Sequence, residues 1–267
     1  MPTVKSQPKQ PEWQYQWENF EETEEFLFRH WIQPRTLDDF VGKRVLDAGC
    51  GRGQDMRRVA AVATHVVGLD LNSAHVARAQ LADVPNVEVH DADIATYDPD
   101  EPFDAIYCLG VIDHTDDPDA TFANFERITK PGGLIIVWVW SAEGNRLMQR
   151  VIEPLRARFL AKRSRRFVSQ LARLRTAVLC VPVYTVYLLP IPQLPYYRYF
   201  KNFRRMPFER NALNVFDKLN APYTEFISRE RLNRWFDPSR FEDVQLVHYN
   251  GVSWCASGKK RAATDEQ

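Results

Sequence analysis

The chain has 267 residues, of which 45% are apolar and 12% aromatic, and its formal net charge at pH 7 is zero. A chain of this length and composition can bury a full core, most simply as one domain with an insertion. Its four cysteines are far apart and form no C-x-x-C pair, which excludes a disulfide framework or a zinc-binding cysteine pattern and indicates reduced thiols.

No targeting or membrane-spanning segment is expected. The N-terminal sequence MPTVKSQPKQPEW is polar and lacks the apolar region of a secretory signal. The longest apolar run, residues 177–189, contains Pro182 and is shorter than the roughly 20 residues that span a bilayer. The sequence therefore predicts a cytoplasmic protein.

Strand-like and helix-like segments alternate along the first half of the chain. Short β-branched runs predict strands at 44–48, 66–70, 87–90, 103–109 and 134–140. Amphipathic stretches between them predict helices at 54–63, 73–82 and 119–129, the second capped by Ser73. Two further strands, 244–250 and 252–258, predict an antiparallel hairpin. This order indicates a parallel sheet with helices on both faces.

Two segments lie outside this pattern: an N-terminal arm, 11–39, and an insertion of about 144–221. From Gly144 to Arg210 the chain has 15 Lys or Arg and only two acids, so this stretch carries +13 and the remainder −13. Apolar residues recur at helical spacing from Leu147 onward, with a break or kink expected at Pro154.

Glycines are concentrated in the first strand-to-helix connection, V45-L46-D47-A48-G49-C50-G51-R52-G53. Backbone N–H groups at this edge of a doubly wound sheet can meet a polar ligand, and missing Cβ atoms let it approach. The alternative is a tight turn without a ligand. Asp70 in VVGLDLN and Asp93 in VHDADIAT follow the next two strands, where carboxylates can accept from a ribose and an adenine.

Together these motifs, with FDAIYCLGVIDHT and KPGGLIIV, resemble the class I S-adenosylmethionine-dependent methyltransferases, in the small-molecule branch of the quinone-biosynthesis type. The resemblance covers about 41–140 closely and the last two strands loosely. It implies an α/β, doubly wound, Rossmann-like fold. The sheet would be seven-stranded and mostly parallel with a reversed last strand, and the helical basic insertion would be added to it.

The resemblance also implies which residues hold S-adenosylmethionine. Asp47, Gly49 and Gly51 would line its methionine part, with Asp47 accepting from the amino group directly or through water. Asp70 would hold the ribose and Leu71 would flank the adenine. Asp93 and Ile94 would take the adenine amine, and Leu109 would lie against the methionine moiety. Each of two carboxylates, taken singly, also has a purely structural interpretation. Asp47 could cap the turn, and Asp93 could end a helix.

The sequence LGVIDHT after the fourth strand resembles the corresponding loop of small-molecule methyltransferases and lacks the Asn/Asp-Pro-Pro-Tyr signature of several amino methyltransferases. His114 is the candidate general base or substrate contact, since an imidazole can accept a proton near neutral pH. An orienting or purely structural role is the alternative. Asp113 is expected to face solvent, and the alternative is that it orients the imidazole. Gly110 occupies the place of a metal-binding Glu of some quinone O-methyltransferases, so we predict no metal.

The insertion has four interpretations: a lid over the substrate, a patch on an anionic membrane, a dimer contact, or a nucleic-acid surface, the last being disfavoured. Tyr15 and Trp17 of the arm, and Tyr223 before a C-terminal helix, are candidate substrate contacts, although Tyr15 and Trp17 would equally anchor the arm. Trp138 and Trp140 share one strand face and favour core packing.

These observations divide the chain into an arm covering the cofactor (1–40), a cofactor-binding core (41–143), the insertion (144–221), a C-terminal helix and hairpin (222–260) and a disordered tail (261–267). They predict a metal-independent methyltransferase acting at O or C of a small or lipid-linked acceptor, with peripheral membrane association in one interpretation. The alternatives are an RNA methyltransferase and a cofactor-binding protein without transferase activity. The oligomeric state is left open.

Overall fold

The computed structural model describes residues 11–20, 24–160 and 163–262. The predicted tail, 261–267, lies almost entirely outside the described residues. The strands are β1 Arg44–Ala48, β2 His65–Leu69, β3 Val87–His90, β4 Phe103–Leu109, β5 Thr129–Trp140, β6 Phe241–Tyr249 and β7 Ser253–Lys260. The helices are α1 Pro11–Asn19, α2 Glu25–Trp31, α3 Gln54–Ala60, α4 Ala74–Gln80, α5 Pro118–Ile128, α6 Glu153–Leu155, α7 Arg165–Val183, α8 Tyr197–Phe203, α9 Phe208–Asn220 and α10 Arg229–Trp235.

One seven-stranded sheet forms the centre, in the order β3-β2-β1-β4-β5-β7-β6. The contacts among β1 to β5 are parallel, whereas β7 runs antiparallel to both β5 and β6. This confirms the predicted mostly parallel sheet with a reversed last strand. The order reverses between β1 and β4, which is where open α/β sheets form a ligand crevice at the carboxyl edge.

Apolar side chains form one buried cluster on each face of the sheet. One contains Phe122, Trp235 and Phe236 of α5, α10 and the adjoining turn, and the other contains Phe28, Phe40 and residues of α3 and α4. Coverage on both faces explains why the central strands are continuous apolar runs rather than alternating ones. The sheet is thereby packed on both faces beneath the carboxyl edge that holds the candidate site.

The insertion packs on the arm rather than standing apart. Val168 and Ala172 of α7 join Phe216 and Leu219 of α9 in a third apolar cluster, which also includes Phe20. Asn220 donates to the carbonyl of Glu12 at 2.8 Å. Around Pro154 the expected irregularity is present, since α6 is flanked by π-helical turns Met148–Ile152 and Arg156–Leu160.

Residues 130–133 are counted within β5, but the register against β4 passes from the pair Thr129–Phe103 directly to Leu134–Ala105, and Gly132 between them has φ +75°. Ser73 is the N-cap residue of α4, as predicted, but its side chain makes no capping hydrogen bond. Its hydroxyl instead donates to Asp70 at 2.9 Å. Among the described residues, no helix combines the length and apolar character needed to cross a membrane.

Candidate functional site

The glycine-rich connection after β1 has a backbone that other residues would strain. Gly49 has φ +97°, and a Cβ there would lie 2.4 Å from Cγ2 of Val111. Gly51 has φ +52°, and its Cβ would lie 2.9 Å from the indole of Trp17. The loop therefore needs glycine for both conformation and close approach. Gly49 lines a cavity at the carboxyl edge of the sheet, hereafter the cofactor cavity.

Asp70, which follows β2, holds this loop against the start of the next connection. One carboxylate oxygen accepts from the backbone N–H of Gly51 at 3.1 Å, and the other from the N–H groups of Asn72 and Ser73 at 2.8 and 2.6 Å. The side chain is buried, and burial raises its pKa against the opposing effect of these hydrogen bonds. Asp70 thus positions the loop and also lines the cofactor cavity.

Asp47 at the end of β1 is a second buried carboxyl group in the cavity lining. It accepts a hydrogen bond of 2.8 Å from the hydroxyl of Tyr107. Burial raises its pKa well above the ordinary value, the charge of Asp55 raises it further, and the Tyr107 hydrogen bond opposes both effects. Such a group is ready to receive a cation, because a nearby positive charge stabilises its ionised form.

The other predicted cofactor residues lie on the same cavity. Leu71, Asp93, Ile94 and Leu109 all line it. Asp93 is buried and accepts from the N–H of Ala95 at 2.9 Å, which fixes the carboxylate at the strand end. Four strand ends thus bring three carboxylates and three apolar side chains to one concave surface.

The arm covers one side of this cavity through Trp17. Its indole packs over Gly51, and its carbonyl accepts from Arg52 at 2.7 Å. Trp13 and Gln16 of α1 also line the cavity. Tyr15 instead packs its ring on Phe216 of α9 at 5.9 Å, so it anchors the arm to the insertion.

His114 lies on a short 3-10 turn after β4 and lines the cofactor cavity. Its Nδ1 is 2.7 Å from the carbonyl oxygen of Tyr223. Because a carbonyl only accepts, Nδ1 carries the hydrogen and Nε2 is the nitrogen with a free lone pair in the neutral ring. The ring of Trp13 packs on the imidazole at 4.9 Å. The Tyr223 side chain is 52% exposed, so its contact with His114 is made by the main chain.

The expectation that Asp113 faces solvent was wrong. Its side chain is fully buried and accepts from the N–H of Trp140 at 3.1 Å, and burial raises its pKa. Its carbonyl accepts from the N–H of Glu225 at 2.8 Å. The 3-10 turn directs this side chain back toward β5 and leaves the next residue, His114, at the cavity. Asp113 therefore positions the turn that carries the imidazole.

Sequence reasoning missed several residues of the cavity wall because they come from the arm and the insertion. Gln16, Trp31 and Asp217 line the cofactor cavity, and Gln16 donates to Asp217 at 3.2 Å. The sequence signal that could have identified these wall residues is a stripe of polar side chains at helical spacing in α9, formed by Arg210, Asn214 and Asp217. It does not by itself identify what α9 faces.

Metal coordination was predicted to be absent. Within residues 11–20, 24–160 and 163–262, no three His, Cys, Asp or Glu side chains are grouped so as to hold a metal ion. Gly110 follows β4 with φ +68°, and a Cβ there would approach the Trp138 ring to 3.1 Å. Metal independence stays a prediction.

A reversed-strand Rossmann-like sheet, with a glycine-rich loop and acids at three successive strand ends around one cavity, defines a class I S-adenosylmethionine-dependent methyltransferase. A family model described as a methyltransferase domain matches residues 20–246. The chain belongs to this methyltransferase domain family, whose cofactor is S-adenosylmethionine.

Individual relatives are similar over part of the chain. A ubiquinone biosynthesis O-methyltransferase of Aromatoleum aromaticum is 35% identical over 124 residues, covering 42% of this chain and 53% of that protein. The enzyme of the same name from Pseudomonas putida is 35% identical over 111 residues, covering 40% and 47%. The chain thus spans about half the length of these curated relatives. The apo structure of the S-adenosylmethionine-dependent methyltransferase SibL, 17% identical, has a TM-score of 0.50 over 87% of this chain and 54% of its own, a likeness of fold.

Proposed function

We propose that the protein transfers the methyl group of S-adenosylmethionine to an oxygen or carbon of a small or lipid-like acceptor, without a metal. One observation carries the proposal: the carboxylates at three strand ends and the imidazole of His114 line the same cavity. The two O-methyltransferase relatives support oxygen as the acceptor atom, over the half of their length that this chain matches.

In this proposal the cofactor lies along the carboxyl edge of the sheet. Asp47 would receive its ammonium group, with Gly49 and Gly51 leaving room for the methionine part. Asp70 would accept from the ribose, while Asp93 and Ile94 would meet the adenine amine and Leu71 its face. Leu109 would lie beside the methionine moiety. All of these except Gly51 are in the cavity lining, and Gly51 is bonded to Asp70.

The chemistry asked of the protein is alignment and proton removal. S-adenosylmethionine supplies an electrophilic methyl group, and the acceptor supplies the nucleophile, so correct positioning contributes up to about 7–11 kcal/mol. An acceptor hydroxyl must also lose its proton. The Nε2 of His114 would take it, since Nδ1 is engaged with the carbonyl of Tyr223. Trp17 would exclude water from the reacting atoms.

Replacing Asp70 is expected to weaken cofactor binding. Asp70→Ala removes the acceptor proposed for the ribose and three backbone hydrogen bonds that hold the loop. We expect a loss of about 1–3 kcal/mol in S-adenosylmethionine affinity by calorimetry, the scale for losing a partner of a desolvated polar group. Asp83→Ala is the control, because that aspartate pairs with Arg57 at an exposed position. Equal affinities for wild type and Asp70→Ala would refute the assignment.

The acceptor can be sought with methyl-labelled S-adenosylmethionine and fractionated lipid, aqueous-metabolite and RNA pools. Label transferred to a lipid or small-molecule fraction, with formation of S-adenosylhomocysteine, would support the proposal. Label in RNA would instead favour the nucleic-acid interpretation. Cofactor binding without transfer to any pool would favour a binding protein without transferase activity.

We further propose that the outer face of the insertion rests on an anionic membrane surface. On α7, Phe167, Leu174, Val178 and Val181 form an exposed apolar stripe, on a different face from the buried Val168 and Ala172. Exposed arginines accompany it, and Arg163 lies 5.9 Å from the Phe167 ring centroid. Apolar side chains flanked by cations suit the boundary between headgroups and acyl chains.

Removing two of these cations is expected to release the protein from vesicles containing anionic lipid. Each Lys or Arg near such a surface contributes about 1 kcal/mol, so Arg163→Gln with Arg166→Gln should weaken binding roughly thirtyfold in a sedimentation assay. Arg165 is left in place, because it bonds to Asn220 at 3.1 Å. The double variant Arg229→Gln, Arg234→Gln on α10 matches the charge change and should bind like wild type. An intact protein that ignores anionic vesicles would contradict the proposal.

A further inference from the structure

A second cavity adjoins the cofactor cavity across a wall formed by Trp17 and Trp31. Gln16, Leu109, Gly110 and Asp217 also line both. The second cavity, hereafter the head cavity, has four tryptophans in its lining together with several polar side chains. Trp138 lies between Trp31 and Trp140, with ring centroids 5.2 and 5.1 Å away. Its position beside the reacting end of the cofactor cavity suits the acceptor.

Two residues that line the head cavity each have a buried side-chain atom without a hydrogen-bond partner within the part of the chain that the structure describes. The two atoms are Oε1 of Gln16 and Nε1 of Trp138. Gln16 is 3% exposed and Trp138 8% exposed. Leaving such atoms unpaired costs about 1–3 kcal/mol each, so they point to a ligand. One accepts and the other donates, and a hydroxyl group satisfies both kinds of atom.

Beyond the head cavity lies an apolar groove between the insertion and the sheet. The groove shares Trp140, Tyr199 and Val252 with the head cavity, so the two adjoin. Its other walls are mainly apolar, and include Leu147, Met148, Ile152, Leu179 and Phe200. An apolar surface of this kind, adjoining a polar site, fits a hydrocarbon chain.

Lys218 of α9 marks the junction of the groove and the head cavity. Its Nζ is 4.4 Å from the ring centroid of Trp140 and 5.2 Å from that of Tyr199, the two aromatic residues that both cavities share. The Nζ donates to the Tyr199 hydroxyl and to the Asn214 carbonyl, each at 3.2 Å. Among the described residues, the ion pairs within 4.0 Å do not include Lys218. An ammonium held by neutral partners favours an anion.

We infer that the acceptor is an amphiphile with three parts: a hydroxylated head in the head cavity, an anionic link such as a phosphate at Lys218, and an apolar chain in the groove. This assignment rests on the proposed methyl transfer and specifies its substrate class. The head would reach the cofactor past Trp17, near Asp217 and His114, which both line the cofactor cavity.

Calorimetry with simple probes tests each part in the presence of S-adenosylhomocysteine. Decyl phosphate has a long chain and an anion, and butyl phosphate has the same anion with a short chain. Decyl glucoside has the long chain with a hydroxylated, uncharged head. We expect decyl phosphate to bind at least about tenfold more tightly than butyl phosphate, because each methylene in the groove adds up to about fourfold. Lys218→Met should weaken decyl phosphate about 10- to 100-fold and leave decyl glucoside within about twofold.

Two further variants separate the head from the chain. Trp138→Phe should weaken binding of decyl glucoside and leave that of decyl phosphate unchanged, since only the glucoside head would reach the indole N–H, whereas the phosphate would lie at Lys218. Ile152→Trp should fill the groove and remove the preference for the longer chain. Met148→Trp gives a second way to fill the groove if the first variant loses S-adenosylhomocysteine binding. Val41→Trp is the control, because Val41 is 57% exposed and lies outside the linings of the groove and of both cavities.

The outcomes distinguish this inference from the proposed function. If S-adenosylhomocysteine binds and chain length has no effect, the substrate class is wrong and the methyltransferase proposal stands. If the amphiphiles bind as expected and S-adenosylhomocysteine does not, the methyltransferase proposal fails. Equal loss of affinity for both decyl probes in Lys218→Met would overturn the placement of the anion, and loss of affinity for decyl phosphate in Val41→Trp would overturn the placement of the chain.

Discussion

His114→Ala is expected to lower kcat about 10²- to 10⁴-fold and to leave S-adenosylmethionine affinity nearly unchanged, because proton transfer by a positioned group typically contributes that much. The imidazole lines the cofactor cavity, and its Nδ1 is fixed by the carbonyl of Tyr223 at 2.7 Å. In the proposed mechanism its Nε2 would therefore remove a proton from an acceptor hydroxyl. The acceptor identified with labelled cofactor would serve as substrate.

Two controls separate a base from a structural histidine. Tyr223→Ala removes an exposed side chain but keeps the carbonyl that bonds to His114, so its kcat should match wild type. Added imidazole should restore part of the activity of His114→Ala and none to wild type, since a small base can enter the space left by the ring. A variant with wild-type turnover, or no rescue together with weakened cofactor binding, would remove His114 from the mechanism.

The fold was predictable because its signals are local. A strand followed by glycines, and acids at the next two strand ends, require no knowledge of distant contacts, and β1, β3 and β4 have the bounds expected from the sequence. The start of β5 was harder. Pro131 and two glycines normally indicate a turn, and the register against β4 does skip residues 130–133, but β5 begins before them at Thr129. The long-range pair between Thr129 and Phe103 sets that start, and no local signal encodes it.

The candidate site was only half predictable for a related reason. Residues from strand ends reach the cavity through the topology of the sheet, which sequence motifs identify. Gln16 and Asp217 reach it because α1 packs on α9, through the stacked rings of Phe20 and Phe216 at 4.8 Å. That contact joins positions some 200 residues apart in the chain. Asp113 was misjudged because a single 3-10 turn decides which of two neighbouring polar side chains is buried.

The pKa of Asp47 predicts a pH dependence of cofactor binding. Burial raises this pKa well above the ordinary carboxyl value in the folded protein. The folded protein therefore favours the protonated carboxyl group. The resulting contribution to the free energy of unfolding is fully present below the ordinary pKa and is lost as the pH rises through the raised pKa. The ammonium of S-adenosylmethionine stabilises the ionised form, so the affinity should rise with pH over the same interval.

Asp47→Asn is expected to have two opposite effects. It removes the cost of a buried charge, so the ligand-free protein should unfold at a higher temperature at neutral pH. It also removes the partner of the ammonium, so S-adenosylmethionine affinity should fall about 10- to 100-fold and lose its pH dependence. Scanning calorimetry of the free protein and titration calorimetry across a pH series measure the two effects.

Tyr107→Phe is the matched variant for this prediction. The Tyr107 hydroxyl donates to Asp47 at 2.8 Å and favours its ionised form. Without the hydroxyl the pKa of Asp47 should rise further, so the pH at which cofactor affinity falls should move upward, whereas in Asp47→Asn no such fall should remain. If wild type and Asp47→Asn lose affinity together as the pH is lowered, another group binds the proton, and Asp47 is not the partner of the ammonium.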